Sequence, residues 1–496
     1  MIIIDLIYFR KPVKQAYKMN IISYHYNRDT IESGILHIGV GNFHRAHQQF
    51  YINRLLADKD QRTWGICGVC LLPSDQKIVE NLRSQDLDYT LTVFGRNGED
   101  EMYTIGSLQE LIWGIEEPEA VSSKIAERAI KIITLTITEG GYNLDKESNA
   151  FNLDDEKIKH DIENPGQPTT VFGFVTAGLR KRRENDNGGL TILSCDNLQH
   201  NGNTAKEAFL SFIRAQDKEL AHWVAANVTF PNSMVDRITP ATTLEDIKRL
   251  NQLSGLQDKA PVYCEDFCQW VIEDNFVAGR PALERVGVEF THDVAVYENM
   301  KLSLLNASHI LLAYPSFLKG YRKVDEAMQD ETIAQYIRDF MDIDITPYVP
   351  APPNTDLDQY KQTLMERFAN RSVSDQVSRL CFDGVSKFPV YILPNLSKMI
   401  NDQKDLTRVA FLIASYRHYL KYKVDERGLS YEIAEPWLTA EDEKRIASDN
   451  PLDFLDLSAF KSIYLKKVEP FTSLYIPFVN RIKDKGITPV LTSILY

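Results

Sequence analysis

The sequence predicts an α/β protein whose N-terminal part is a doubly wound, mostly parallel sheet and whose C-terminal part is mainly α-helical. Three observations lead there. Apolar runs of strand length alternate with helical stretches up to about residue 290. The first run ends in a glycine turn that leads straight into a helical segment. Beyond it all, the apolar spacing becomes that of helices. A chain of 496 residues also exceeds one ordinary core, so it divides into domains. The expected division is an N-terminal extension, 1–29, a sheet domain, 30–290, and a helical domain, 291–496.

The elements follow in order. MIIIDLIYFRKPVKQAYKMN is apolar only briefly, Asp5 interrupts it, and its charges follow rather than precede the apolar run. It is neither a secretory signal nor a membrane span. GILHIGV, 34–40, reads as the first strand and RAHQQFYINRLLAD as the helix after it. WGICGVCLL, 64–72, is the second strand; YTLTVF near 89, KIITLTIT at 131–138 and LTILSCD at 190–196 are further ones. NVTFPNSMVDRITPAT, 227–242, and VYCEDFCQWVIEDNF add strands with loops. Helices are expected at 293–314, 324–342, 357–370, 404–423, 439–447 and 473–485. The four prolines of TPYVPAPPNTDL, 346–357, interrupt that series.

Composition excludes several classes. With 44% hydrophobic and 25% charged residues the chain reads as a globular protein, expected in the cytoplasm. A net charge of −13 argues against a nucleic-acid or anionic-membrane surface, though not against an anionic cofactor. Six cysteines do not make a disulfide scaffold. Cys67 and Cys70 have a chelating spacing but fall in a strand, where residues three apart face opposite ways. Cys264 and Cys268 are read as structural too, and no metal site is expected.

The chemistry concentrates at strand ends and in one helix. Gly39-Val40-Gly41-Asn42-Phe43-His44-Arg45 is a G-x-G turn between strand and helix, which lets a pyrophosphate approach free backbone N–H groups. The third glycine of the usual fingerprint is replaced by His44, and Arg45 is a candidate phosphate contact. Asp75, after the second strand, suits the ribose hydroxyls of NAD and repels the extra phosphate of NADP; a helix N-cap is its plainer role. Thr138-Glu139-Gly140-Gly141 permits close backbone approach to a cofactor. Asn197 could hold a developing alkoxide and Asp236 sugar hydroxyls; Arg379 and Lys387 read as surface cations or salt-bridge partners. YENMKLSLLNASHILLAY, 297–314, places polar groups in an apolar helix. At about 100° per residue Glu298, Lys301 and His309 span about 80°, and Asn306 widens the arc to about 140°. A lysine in such surroundings loses hydration, and its pKa falls toward the range of a general base.

GVGNFHRAHQ, TITEGGY, SCDN, MVDRITP, EDFCQWVIEDNF and KLSLLNASH, in this order, resemble the polyol-specific long-chain dehydrogenases. That family includes mannitol 2-dehydrogenases, arabinitol dehydrogenases and hexuronate reductases. The resemblance runs from about residue 30 to near the C-terminus. It implies a Rossmann-type domain, a helical domain closing the site, and metal-independent hydride transfer. Carried across, Lys301 is the general base, Asn197 and Asn306 hold the reacting oxygen, His309 orients the substrate and Glu298 gates proton exit. Asp236 and Arg379 match polyol-contacting positions, with Lys387 a further candidate. The expected cofactor is NAD rather than NADP, although Ser74 stands where some relatives carry a second acid. DQVSRLCFDGVSKFP looks like the mannitol-oxidising branch. The leading expectation is reversible oxidation of mannitol to fructose. Reduction of fructuronate or tagaturonate, arabinitol oxidation, and a non-catalytic sugar- or nucleotide-binding relative are the alternatives. A zinc alcohol dehydrogenase would need a Cys/His set that the sequence does not assemble. A monomer is the default expectation.

Overall fold

The protein was analysed as a computed structural model, described for residues 19–145, 150–353 and 355–495. Most of the expected extension, residues 1–18, lies outside the described residues. Thirteen strands fall into three sheets among the described residues. In chain order they are β1 (Ile21–Ile22), β2 (Ser33–Ile38), β3 (Gly65–Cys70), β4 (Tyr89–Phe94), β5 (Glu101–Ile105), β6 (Leu108–Trp113) and β7 (Ile132–Leu135). Then come β8 (Leu190–Ser194), β9 (Val228–Thr229), β10 (Ser233–Asp236), β11 (Val262–Glu265), β12 (Gln269–Glu273) and β13 (Glu289–Thr291).

The central sheet has six strands in the order β6-β3-β2-β7-β8-β9, every pair parallel. Counting only these strands, the order is 3-2-1-4-5-6, that of a dinucleotide-binding fold, with the topological switch between β2 and β7. Strand alternation explains the continuous apolar runs. Ile35, Ile66, Ile132 and Leu193 enter the core on one face, and Leu36, Val69, Ile133 and Ile192 the core on the other.

Three expected strands do not join this sheet. YTLTVF forms β4, which pairs antiparallel with β5 and parallel with β11 in a four-stranded sheet, β1-β5-β4-β11. The MVD and QWVIE segments form β10 and β12, antiparallel neighbours in the sheet β10-β12-β13. An apolar run states that a strand is buried, not which sheet buries it. Cys67 and Cys70 both lie buried in β3 as free thiols.

The remainder from Val294 onward is helical around one large apolar core, in which the helix Thr407–Tyr422 packs against Glu469–Lys485 and Ala307–Leu318. Helices Gly384–Tyr391 and Leu393–Asn401 were not expected; Pro389 inside the first and Pro394 at the start of the second mask the period. No helix among the described residues is long and apolar enough to cross a membrane.

Candidate active site

The segment expected as one regular helix has three parts. Val294–Met300 is α-helical, Lys301–Asn306 is a π-turn, and Ala307–Leu318 resumes the α-helix. The Ala307 N–H donates back to Leu302 O, a five-residue step. In a regular helix Lys301 and Asn306 would diverge by about 140°. A π-turn closes i to i+5, so residues five apart lie closer in angle than in an α-helix, a distortion common at functional sites. The π-turn therefore brings Asn306 closer in angle to Lys301 than the uniform-helix arithmetic gave.

Lys301 reaches from this helix to the C-terminal ends of two strands. Its Nζ donates to Asn197 Oδ1 at 2.6 Å, just beyond β8, and to Val235 O at 2.7 Å, in β10. A neutral amine has two N–H donors and one lone pair. Both donors are thus engaged by the protein, which leaves the lone pair for an incoming hydroxyl. Burial pushes the Lys301 pKa down; Asp236 and Glu298 oppose the shift and Arg367 adds to it, and the net direction is downward. Only 6% of the residue is exposed.

Asn306 Oδ1 is buried without a hydrogen-bond partner. Tyr391 faces the amides of both Asn306 and Asn197, which ties the two asparagines to one spot; burial, then nearby Glu139, pushes its hydroxyl up to about 12. His309 stacks near Phe368, ring centroids 4.7 Å apart, and burial lowers it to about 3, so its imidazole is neutral. Glu298 is buried, and that burial raises its carboxyl.

Asp236 is not free to hold sugar hydroxyls on its own. Both its oxygens accept from Arg367, at 2.9 and 3.0 Å, and Arg367 also donates to Glu265 at 2.8 and 2.7 Å. Burial would raise Asp236, but Arg367 and Lys301 overcome it and hold the carboxylate ionised. Arg367 and Glu265 were not singled out from the sequence. Arg367 is one cation on an amphipathic helix and Glu265 one acid at a strand end, and no local pattern marks either. Arg379 pairs with Asp375 one turn earlier, and over half of its side chain is open. Lys387 donates to the carbonyl of Leu380 at 3.1 Å; burial and the Arg379 charge lower its pKa.

The strand ends at the switch point form the cofactor side. Gly39 follows β2 with φ +102°, and a Cβ there would lie 2.2 Å from Thr136 O, so no other residue fits. Gly41 is different: the nearest atom to a Cβ would be 4.0 Å away, and Gly140 has nothing within 4 Å. Both face open space that a phosphate or nicotinamide could approach. Thr138, at φ +63°, is held in that strained turn because its N–H donates to Asp196 Oδ1 at 2.8 Å, while Tyr142 donates to Asp196 Oδ2 at 2.8 Å. Asp196 thus sets the Thr138–Glu139–Gly140 loop from the end of β8. Glu139 is exposed, and its carboxyl is raised by partial burial and by Asp383 and Asp196.

Arg45 corrects the sequence reading. It is 3% exposed, donates to Ala260 O and to Asn42 Oδ1, and lies over the Tyr89 ring; it is a core arginine, not a phosphate contact. The Asn42 amide in turn reaches Pro240 O and Thr242 Oγ1, so only its backbone remains for a ligand. Phe43 stacks on His47. His44, in the third-glycine position, stacks on His37 with centroids 3.3 Å apart, and burial keeps both rings neutral. Asp75 lies just past β3 and accepts the Leu72 N–H at 3.0 Å, a local cap that leaves its other oxygen available. Among the described residues no group of three or more His, Cys, Asp or Glu is placed to hold a metal.

Comparison with known proteins gives the family. The mannitol dehydrogenase Rossmann domain matches residues 33–285, and the mannitol dehydrogenase C-terminal domain matches 293–473. The chain is 40% identical, over 93% of its length and 95% of the relative's, to a polyol:NADP oxidoreductase of Gluconobacter oxydans. A substrate-free D-sorbitol dehydrogenase superposes with a TM-score of 0.89 at 39% identity, covering 96% of this chain and 98% of that one. The mannitol 2-dehydrogenase of Pseudomonas fluorescens, in a ternary complex with NAD and D-mannitol, gives a TM-score of 0.86 at 40% identity, with 96% of each chain covered. This chain is an enzyme of the mannitol dehydrogenase family, a polyol dehydrogenase.

Proposed function

We propose that the enzyme oxidises a polyol, D-mannitol in the first instance, to the ketose with NAD, reversibly and without a metal. The observation that carries this reading is Lys301: a buried amine with both donors satisfied and its lone pair unclaimed. The relative complexed with NAD and D-mannitol supports the substrate and cofactor. The open backbones of Gly41 and Gly140 support a cofactor on this side, and Asp75, just past β3, is our candidate for its ribose. The nicotinamide, when bound, accepts the hydride from the alcohol carbon.

The chain's own residues handle the oxygen and its proton. Lys301 Nζ takes the hydroxyl proton through its lone pair. The Asn197 carbonyl oxygen stays on Lys301, and its Nδ2 donates to the oxygen as negative charge develops. Asn306, brought closer in angle to Lys301 by the π-turn, holds the same oxygen from the other side. Neutral His309 and ionised Asp236, fixed by Arg367, orient the remaining hydroxyls. A hexuronate reductase would need an unpaired cation for the substrate carboxylate. Arg379 is paired with Asp375, which favours a neutral polyol at that position.

Initial rates with polyols and hexuronates, each with NAD and NADP, test the proposal. Polyol oxidation is expected and hexuronate reduction is not; the reverse ranking would overturn it. The wild type should prefer NAD, since a carboxylate near the 2′-phosphate of NADP adds unfavourable charge, and about 1.4 kcal/mol is tenfold in discrimination. Asp75→Ala should raise the relative use of NADP without changing polyol KM. A polyol:NADP relative makes this comparison sharp; equal use of both cofactors by the wild type would refute the assignment to Asp75. Because an amine and amides activate the oxygen, chelator treatment should leave kcat unchanged. Activity lost on chelation and regained with zinc would contradict the mechanism.

A further inference from the structure

We propose that His200 is the outer proton carrier of this site: it receives from Glu298 the proton that Lys301 collects and delivers it to solvent. The inference rests on the proposed oxidation, which generates one such proton per turnover. Oxidising an alcohol sends a hydride to the nicotinamide and leaves the hydroxyl proton on Lys301. That amine is enclosed, so the proton needs a route out before the base can act again.

The route is visible in the side chains. Lys301 and Glu298 line one narrow pocket together with Asn197, Val235 and Leu302. Glu298 is the next acid along, and its side chain is only 6% exposed, so its own contact with bulk water is slight. Its carboxylate is held toward His200. The His200 N–H donates to Glu298 Oε1 at 3.2 Å and Oε2 at 3.3 Å, and His200 Nδ1 lies 3.5 Å from Oε2. Half of the His200 side chain is open to solvent. One imidazole thus spans the distance between a buried carboxyl and water.

The backbone fixes this geometry. His200 begins the helix Asn201–Gln216 in the left-handed region, at φ 51°, ψ 44°. That conformation turns its N–H and its ring toward the same carboxylate. The groups facing Glu298 are His200, Lys301 and Asp293. Burial raises the Glu298 carboxyl; Lys301 Nζ and the carboxylate share a pocket without forming an ion pair, so water in that pocket carries the proton between them. In the final step Glu298 O–H gives its proton to Nδ1 and Nε2–H gives one to water; the neutral ring is left as the Nδ1–H tautomer, and proton exchange with solvent at the exposed ring restores the Nε2–H form before the next turnover. A 3.5 Å separation closes to hydrogen-bond length by a rotamer adjustment of an exposed side chain.

The test separates this role from a structural one. His200→Asn retains the backbone N–H to Glu298 and suits a left-handed position, as asparagine does. His200→Gln is read in parallel. Stopped-flow turnover of the full-length enzyme with NAD and D-mannitol, in weak buffer with a pH dye, follows NADH and released protons together. In the wild type the two signals should coincide. In both variants NADH should still form while proton release lags by at least about tenfold, a loss within the range of a positioned acid–base group. Added imidazole should shorten that lag. Unchanged proton release, or a lag that imidazole does not shorten, would overturn the proposal while leaving the polyol reading intact. Absence of NADH with every polyol would overturn the functional reading and this route with it.

Discussion

Lys301→Ala lowers kcat for polyol oxidation by about 10²–10⁴-fold, the contribution of a positioned base, with little change in cofactor affinity. The side chain ends in two hydrogen bonds, to Asn197 Oδ1 and Val235 O, and circular dichroism and thermal unfolding should show that the fold persists. The pH profile gives the sharper signature. Oxidation needs the neutral amine, so the wild-type rate rises with pH through the Lys301 pKa, which burial places below the ordinary lysine value. The variant should lack that limb. A loss under about tenfold at the optimum, or an unchanged limb, would assign the proton to another group.

Arg367→Met is expected to destabilise the protein by about 3–5 kcal/mol, read from urea unfolding. The guanidinium makes two hydrogen bonds to Asp236 and two to Glu265, all buried. A thioether fills the space but leaves two buried carboxylates without the cation that pairs with both. Glu265 is already raised, by burial first, and removing Arg367 takes away the main influence that lowers it. In the variant the pair retains a proton that the unfolded chain would release. A carboxyl with a raised folded pKa stabilises the protonated fold at low pH and loses that stability as pH rises through the folded pKa. The deficit should therefore widen from pH 5 to pH 8. A loss of under about 1 kcal/mol, or a deficit independent of pH, would mean that Arg367 is not the counter-ion of this pair.

Much of the molecule was legible in one dimension because it depends on local periodicity. Strands buried on both faces read as unbroken apolar runs, and β2, β3, β7 and β8 were found that way. Gly39 announced itself as the turn between strand and helix. Ordered motifs from GVGNFHRAHQ to KLSLLNASH carried the family. Other features depend on contacts far apart in sequence. The segments YTLTVF and MVD were legible as strands but not as members of separate sheets, because sheet membership is a matter of which partner is near.

The sequence by itself determined that this chain has a glycine turn at the head of a parallel sheet and a lysine, two asparagines and a histidine available for oxygen chemistry. Only the tertiary structure decided what each charge does. Arg45 and Arg367 are the same residue type on helices, yet one is closed into the sheet core and the other fixes two acids at the active site. The π-turn at Lys301–Asn306 breaks the uniform helical angle, so even the alignment of base and amide required the folded backbone. The reason is physical: hydration loss and charge pairing depend on neighbours brought from 66 to 131 positions away, as Val235 is to Lys301 and Asp236 to Arg367. A period along the chain carries no information about them.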